Sequence, residues 1–185
     1  MVNTITDGKC ISIKYSNEVP QNKLSGDEVF RVNKSLASNF KSDSTVYIEL
    51  EIMRHTGPRM LYGKLGFLFE GMNDARIQLE IPYSKTNSMR YHDSILLDSD
   101  ICYMGITEEY LNGIVQDICN FIENESDFPS CKITLCNASN CESGSCQAFY
   151  SIIIDTIMNI YVKHIDLFDS EQGGKTLLEY VKAKK

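Results

Sequence analysis

No segment of this 185-residue chain reads G-x-x-x-x-G-K-[ST], the loop whose backbone N–H groups cradle a nucleotide's phosphates in P-loop proteins. Gly173-Gly174-Lys175-Thr176 imitates its end. No upstream glycine stands at the required spacing and no apolar strand precedes it, so these residues read as a helix-flanking turn. Histidine is scarce: His55, His92 and His164 stand far apart in the chain. No serine or cysteine occupies a G-x-S-x-G elbow. The chain therefore reads as non-enzymatic, with no nucleotide and no cofactor expected. No apolar run reaches the roughly 18 residues that span a bilayer. The N-terminal Met-Val-Asn-Thr-Ile-Thr-Asp-Gly has no basic region ahead of an apolar stretch. No membrane partner is expected, and the cytoplasm is the expected location. Positive charge is also short, with 18 Lys and Arg against 25 Asp and Glu and a net charge of −7. Phosphate neutralisation needs clustered cations, so this acidity works against non-specific nucleic-acid binding.

Cysteine, by contrast, is abundant: seven in all, with Cys131, Cys136, Cys141 and Cys146 each separated by four residues. That spacing lies at the edge of what a zinc knuckle uses. Side chains alternate along a strand from Ser130 to Cys136, so Cys131 points with Ile133 and Leu135 while Cys136 points the other way. The two cannot share an ion, and no metal site is expected. Cys119 reads as a small buried hydrophobe on a helix. With no secretory signal visible, disulfides are not expected either.

Periodicity gives the elements. Gly8 to Tyr15 alternates as a half-buried strand. Ser25 to Glu28 has the form of a capping box, and Val29, Phe30, Leu36, Ala37 and Phe40 suit an amphipathic helix. Thr45 to Met53 is a strand with Val46, Ile48, Leu50 and Ile52 inward, joined by a hairpin to Tyr62 to Phe69. Arg76 to Ile81 is another, with Ile77, Leu79 and Ile81 on one face. Pro82 to Asp93 reads as an exposed loop, followed by a short strand over Ile95 to Leu97. Thr107 is placed to cap a helix whose first turn holds Glu108 and Glu109. Its apolar stripe is Tyr110, Leu111, Ile114, Val115, Ile118, Phe121 and Ile122. A strand restarts at Pro129. Ser145 is expected to cap a second helix with Phe149, Ile152, Ile153, Ile157 and Ile160 inward, and a short helix from Lys175 to Ala183 docks Leu177, Leu178 and Val181. Strands followed by helix, strand and helix make an α+β layer with helices on one face of a mixed sheet.

Four blocks within this pattern carry a resemblance. Arg54-His55-Thr56-Gly57-Pro58-Arg59-Met60-Leu61-Tyr62-Gly63-Lys64-Leu65 resembles R-Q-T-G-G-R-G-Q-Y-G-H-V, matching at Arg54, Thr56, Gly57, Arg59, Tyr62 and Gly63. Gly105 to Leu111 is similar to G-V-I-P-x-E-Y-I, Pro129 to Leu135 to P-V-x-D-I-K-V-T-L, and Ser145 to Phe149 to S-S-E-M-A-F. These are motifs of domain IV of elongation factor G and elongation factor 2, in the same order. The resemblance implies the ribosomal protein S5 domain 2-like fold over residues 45–164. It leaves residues 1–44 as a strand-helix extension on the same core and 165–185 as a tail with a short helix.

The resemblance also implies a surface. Domain IV is a non-catalytic probe that enters the decoding region of the ribosome, and its hairpin corresponds to Arg54, His55, Arg59 and Lys64. The residues themselves leave two readings open, a basic patch or a solvated hairpin. A tip loop is expected over Asn137 to Gly144, offering Asn137, Ser139, Asn140 and Glu142 as hydrogen-bonding candidates. The family's tip histidine has no counterpart there. The first functional expectation is thus a stand-alone, translation-factor-like domain that binds the ribosome or ribosomal RNA. The second is a protein-interaction or oligomerisation module reusing the fold, with a protein partner or a second copy covering an open sheet face.

Overall fold

The computed structural model describes residues 3–8, 10–21, 24–35, 44–87, 89–95 and 100–184. The elements run β1 (Asn3–Asp7), β2 (Ile11–Ser16), β3 (Glu28–Ser35), β4 (Thr45–Thr56), β5 (Arg59–Gly71), β6 (Arg76–Tyr83), β7 (Cys102–Met104), α1 (Glu108–Asn124), β8 (Cys131–Cys141), α2 (Gln147–Lys163) and α3 (Glu171–Lys184). A 3₁₀ turn, Ile165–Asp169, joins the last two helices. All the strands belong to one sheet of order β1-β2-β4-β5-β8-β6-β3, with β7 on the far end of β8. Every pairing is antiparallel except β6 with β8, which are parallel and connected through α1. The molecule is a mixed α+β fold. No helix among the described residues is long and apolar enough to cross a membrane.

Alternation in the strands builds the core as expected. Val46, Ile48 and Leu50 of β4 lie across from Phe69, Phe67 and Leu65 of β5, and all six are buried. Ile77, Leu79 and Ile81 of β6 and Cys131, Ile133 and Leu135 of β8 extend the same face. The helices pack on it. α1 buries Leu111, Ile114, Ile118 and Ile122. α2 lies over the β4–β5 hairpin and is buried on most of its circumference, with the Tyr161 ring stacked on Phe69 at 4.0 Å. Gly63 is what lets α2 come so close: a Cβ there would stand 2.7 Å from Ile153 Cδ1 and 3.3 Å from Tyr150 Cε1. Gly63→Val is therefore expected to cost about 1–3 kcal/mol, as overpacked cores do, read as a lower urea midpoint. Strained dihedrals are not the reason, since Gly63 has no positive φ; Gly57, at the hairpin turn with φ of 60°, does.

Several expectations are corrected. Residues 28–35 form a strand rather than a helix, because Phe30 and Val32 pair across to Ile81 and Leu79 of β6. The ladder outweighs the local capping signal of Ser25 to Glu28. Leu36, Ala37, Phe40 and Leu97 lie outside the described residues. β1 and β7 had no periodic signal long enough to announce them. α3 begins at Glu171, so Gly173 to Thr176 lie inside a helix rather than in a turn. Gly173 fits there because a Cβ would stand 2.0 Å from the Leu167 carbonyl, and the Ser170 hydroxyl caps its N–H at 3.0 Å. Cys146, not Ser145, is the N-cap of α2. Ser145 Oγ instead accepts from the Cys141 N–H (2.8 Å) and donates to the Tyr62 carbonyl (3.0 Å).

The largest correction concerns the tip loop. Strand β8 runs unbroken to Cys141, so Asn137, Ser139 and Asn140 are in the sheet. A bulge where Gly66 and Phe67 face Asn137 and Leu135 inserts Cys136 as an extra residue. The parity of the strand flips there. Ala138 faces the helices after the bulge as Leu135 did before it, and Ser139 and Cys141 face the opposite side.

Candidate functional site

The eight candidate residues do not converge on one site. Arg54, His55 and Arg59 are exposed at the end of the β4–β5 hairpin, and every residue from 54 to 59 is exposed with them. Lys64, expected in the same basic patch, is buried at 2% exposure. Four residues of β5 separate Arg59 from Lys64, which brings Lys64 under the cover of Tyr91.

Lys64 belongs to a charged network on the sheet face away from the helices. Glu49 is its centre. One carboxylate oxygen takes Lys14 Nζ at 2.8 Å and Lys64 Nζ at 3.3 Å, and the other accepts the Tyr47 hydroxyl at 2.6 Å and the Asn137 amide at 2.7 Å. Burial pushes this carboxyl up, but the Lys64 and Lys14 charges and the two hydrogen bonds from Lys14 and Tyr47 outweigh it, so Glu49 titrates below the usual carboxylate range. Beside it, the Tyr62 hydroxyl donates to Glu51 at 2.8 Å and shares a 2.6 Å bond with Ser139 Oγ. Burial and the Glu51 charge drive the Tyr62 phenol far up, so it stays a neutral donor. The face expected to be open is covered: the Tyr91 hydroxyl accepts Lys64 Nζ at 2.8 Å beneath its own ring, and the Ile95 N–H reaches Glu51 at 3.0 Å.

Asn137 and Ser139 are thus network members rather than tip-loop contacts. Asn140 is buried as well, its amide donating to Asn87 and to the Gly105 carbonyl at 3.0 Å each. Glu142 is exposed and accepts the Tyr103 hydroxyl at 2.6 Å. Sequence reasoning missed Glu49, Glu51 and Lys14. Carboxylates at two alternate positions of β4, Glu49 and Glu51, on the face opposite Ile48 and Leu50, were the available signal.

The cysteines do not converge. Cys131 is in the helix-side core, where burial pushes its thiol up to about 12, and Cys136 packs with Tyr47 and Leu68 on the opposite face. Among the described residues no cluster of His, Cys, Asp or Glu is placed to hold a metal. A disulfide does occur, against expectation. β7 pairs with β8 so that Cys102 is directly across from Cys141, and the two are bonded. The bridge was not legible because β7 is three residues long.

Beneath the hairpin tip lies a groove of about 480 Å³, lined by Pro58, Arg59, Met60 and Leu61 on one side, Gly144, Ser145 and Cys146 on the other, and Asp100. It contains one expected binding residue, Arg59. Most cations of the chain are committed elsewhere. Among the described lysines and arginines, Arg54, Arg59 and Arg90 alone lack an ion-pair partner. Two of these three flank the hairpin turn. No family model, no curated protein and no solved structure matches this chain.

Proposed function

We propose that this chain is a non-enzymatic, translation-factor-like domain that engages the ribosome, through its RNA, with the β4–β5 hairpin. The observation that carries the reading is the pair of unpartnered guanidiniums, Arg54 and Arg59, on an exposed turn of a protein that is acidic overall. Nearly every other described cation neutralises a carboxylate; these two are left for an outside anion. Guanidinium forks suit phosphate oxygens, and the Asp100 carboxylate in the same groove suits the base N–H or ribose hydroxyl beside them. The long paired strands hold the turn on a rigid stalk, which is what a probe needs. The finer fold assignment, ribosomal protein S5 domain 2-like, belongs to the same reading. The succession β4, β5, β6, α1, β8, α2, with β6 and β8 parallel neighbours, supports it.

Co-sedimentation with ribosomes tests this. The wild-type chain is expected in the ribosomal pellet at low salt, and absence from the pellet there overturns the proposal. Arg54→Ala with Arg59→Ala is expected to weaken binding by at least about tenfold, given that each charge-assisted bond contributes about 1.5–3 kcal/mol. The dependence on salt should become shallower by about one unit of slope per arginine removed. Both side chains are exposed, so the variant's stability should stay within about 0.5 kcal/mol of wild type.

A further inference from the structure

The two edges of the sheet are built differently. At the β3 edge the charges are committed along the strand: Arg31 to Glu80 at 2.8 Å, Lys34 to Glu123, and Glu28 to Lys85 at 3.2 Å. Charges along an edge strand guard it against pairing with another chain. β1 forms the other edge and reads Asn3-Thr4-Ile5-Thr6-Asp7, with no lysine, no proline and an unbroken register against β2. Its one charge, Asp7, is turned to α3 and paired with Lys182 at 3.3 Å. Among the described residues nothing pairs with its outer side. A strand edge left this way is a template for another strand.

The edge is also complementary to itself. An antiparallel copy centred on Ile5 sets Ile5 across from Ile5, each Thr4 across from the other copy's Thr6, and each Asn3 across from Asp7. The faces agree as well as the pairs. Ile5 and Asp7 are on the helix side, where Ile5 Cδ1 lies 3.3 Å from the place of a Cβ on Gly174. Thr4 and Thr6 are exposed on the other side. The two-fold therefore joins isoleucine to isoleucine beneath the helices and threonine to threonine above solvent, and it gives each Asn3 amide a carboxylate to donate to. Such cross-strand pairs are the unit of sheet stabilisation. A groove of about 550 Å³ follows this edge between β1 and α3, lined by Ile5, Phe168, Gly174, Lys175 and Leu178. A second copy brings its own Ile5 and α3 alongside that groove.

We propose that the protein self-associates as a two-fold dimer through antiparallel β1–β1 pairing about Ile5, making one continuous sheet across two copies. A two-fold interface requires one patch to complement itself, and this near-palindromic strand does so. The inference is independent of the hairpin reading, since it uses none of the tip residues.

Sedimentation equilibrium of the purified full chain across the micromolar range tests it. A concentration-dependent dimer is expected, and a monomer throughout overturns the proposal. Two variants at the same exposed positions then fix the register. Thr4→Lys with Thr6→Lys sets like charges across from each other twice and is expected to weaken dimerisation by about tenfold or more. Thr4→Lys with Thr6→Glu sets opposite charges across from each other and is expected to keep the dimer. If both variants weaken it equally, or neither does, the pairing is wrong. Val29→Lys on the β3 edge should leave the dimer intact; its loss there assigns the interface to the other edge. Hydrogen exchange on the wild-type protein gives a reading without substitutions. Amides within residues 3–7 should slow as concentration rises, and exchange that does not change with concentration also overturns the interface.

Discussion

Replacing Glu49 by alanine should lower the free energy of unfolding by about 3–5 kcal/mol, the range for removing one member of a buried ion pair. Lys64 is the reason. It is 2% exposed, and without Glu49 its ammonium keeps only the Tyr91 hydroxyl and ring. The Tyr47 hydroxyl and the Asn137 amide lose their acceptor at the same time. Urea denaturation of the single variant measures the cost. Glu49→Ala combined with Lys64→Met should cost less than the sum of the two single changes, because no orphan charge remains. A strictly additive pair would mean that the two groups are not coupled. The acid limb gives a second reading. Glu49 titrates lower in the folded protein than in the unfolded chain, whose glutamates titrate near about 4.3. A depressed carboxylate contributes stability that is complete above the unfolded value and is lost as pH falls through the folded one. The gap between wild type and Glu49→Ala should therefore be constant from neutral pH down to about pH 5 and narrow below it.

Breaking the Cys102–Cys141 bridge is expected to cost about 2–4 kcal/mol. The bond joins residues 39 positions apart in sequence, and in the chain-entropy account a loop of that length restricts the unfolded ensemble by about 4 kcal/mol. Cys102→Ala with Cys141→Ala should show this as a lower urea midpoint, and a thiol reductant should do the same to the wild type but not to the variant. The lost stability should concentrate on one region. β7 holds residues 89–95 through the Tyr91 N–H to the Cys102 carbonyl (2.9 Å) and the Met104 N–H to the Met89 carbonyl (2.8 Å). That segment supplies Tyr91 and Ile95 to the charged network. Reduction should therefore raise hydrogen exchange first at Tyr91, Ile95 and Met104, ahead of β4 and β5. Equal exchange in both redox forms would show the bridge to be silent. Disulfides persist in oxidising compartments, so the bridge and the expected cytoplasmic location pull in opposite directions, and the reduced form is the one to measure in a reducing cell.

How far the sequence could be read depended on how many neighbours an element needed. α1 was legible because one helix with apolar residues at Leu111, Ile114, Ile118 and Ile122 buries its stripe on any sheet it meets, and its acidic first turn marks its start. β4, β5 and β6 were legible because two-residue alternation is a property of a single strand. β3 was misread because Ser25 to Glu28 mimics a cap, while the pairing that settles the matter comes from β6, nearly fifty residues later. The functional candidates divide the same way. Arg54, His55 and Arg59 were legible as surface residues because a turn at Gly57 puts its neighbours at the surface in almost any fold. Lys64 was assigned to the surface because lysine is almost never buried unpaired, and its partner Glu49 is set opposite it only by the register of the hairpin.

Local order thus came from the sequence alone: the apolar periods, the hairpin turn, the helix over residues 108–124 and the excess of acidic charge. These depend on neighbours along the chain, whose spacing is fixed by covalent geometry. The tertiary structure decided what lies between distant residues. It added a bulge at Cys136 that turned an expected loop into strand, a cross-strand partner for Cys102, and a charged network closed over the sheet face that had looked open. Each of these depends on which strand pairs with which and in what register, and a shift of one residue would send every one of those side chains to the other face.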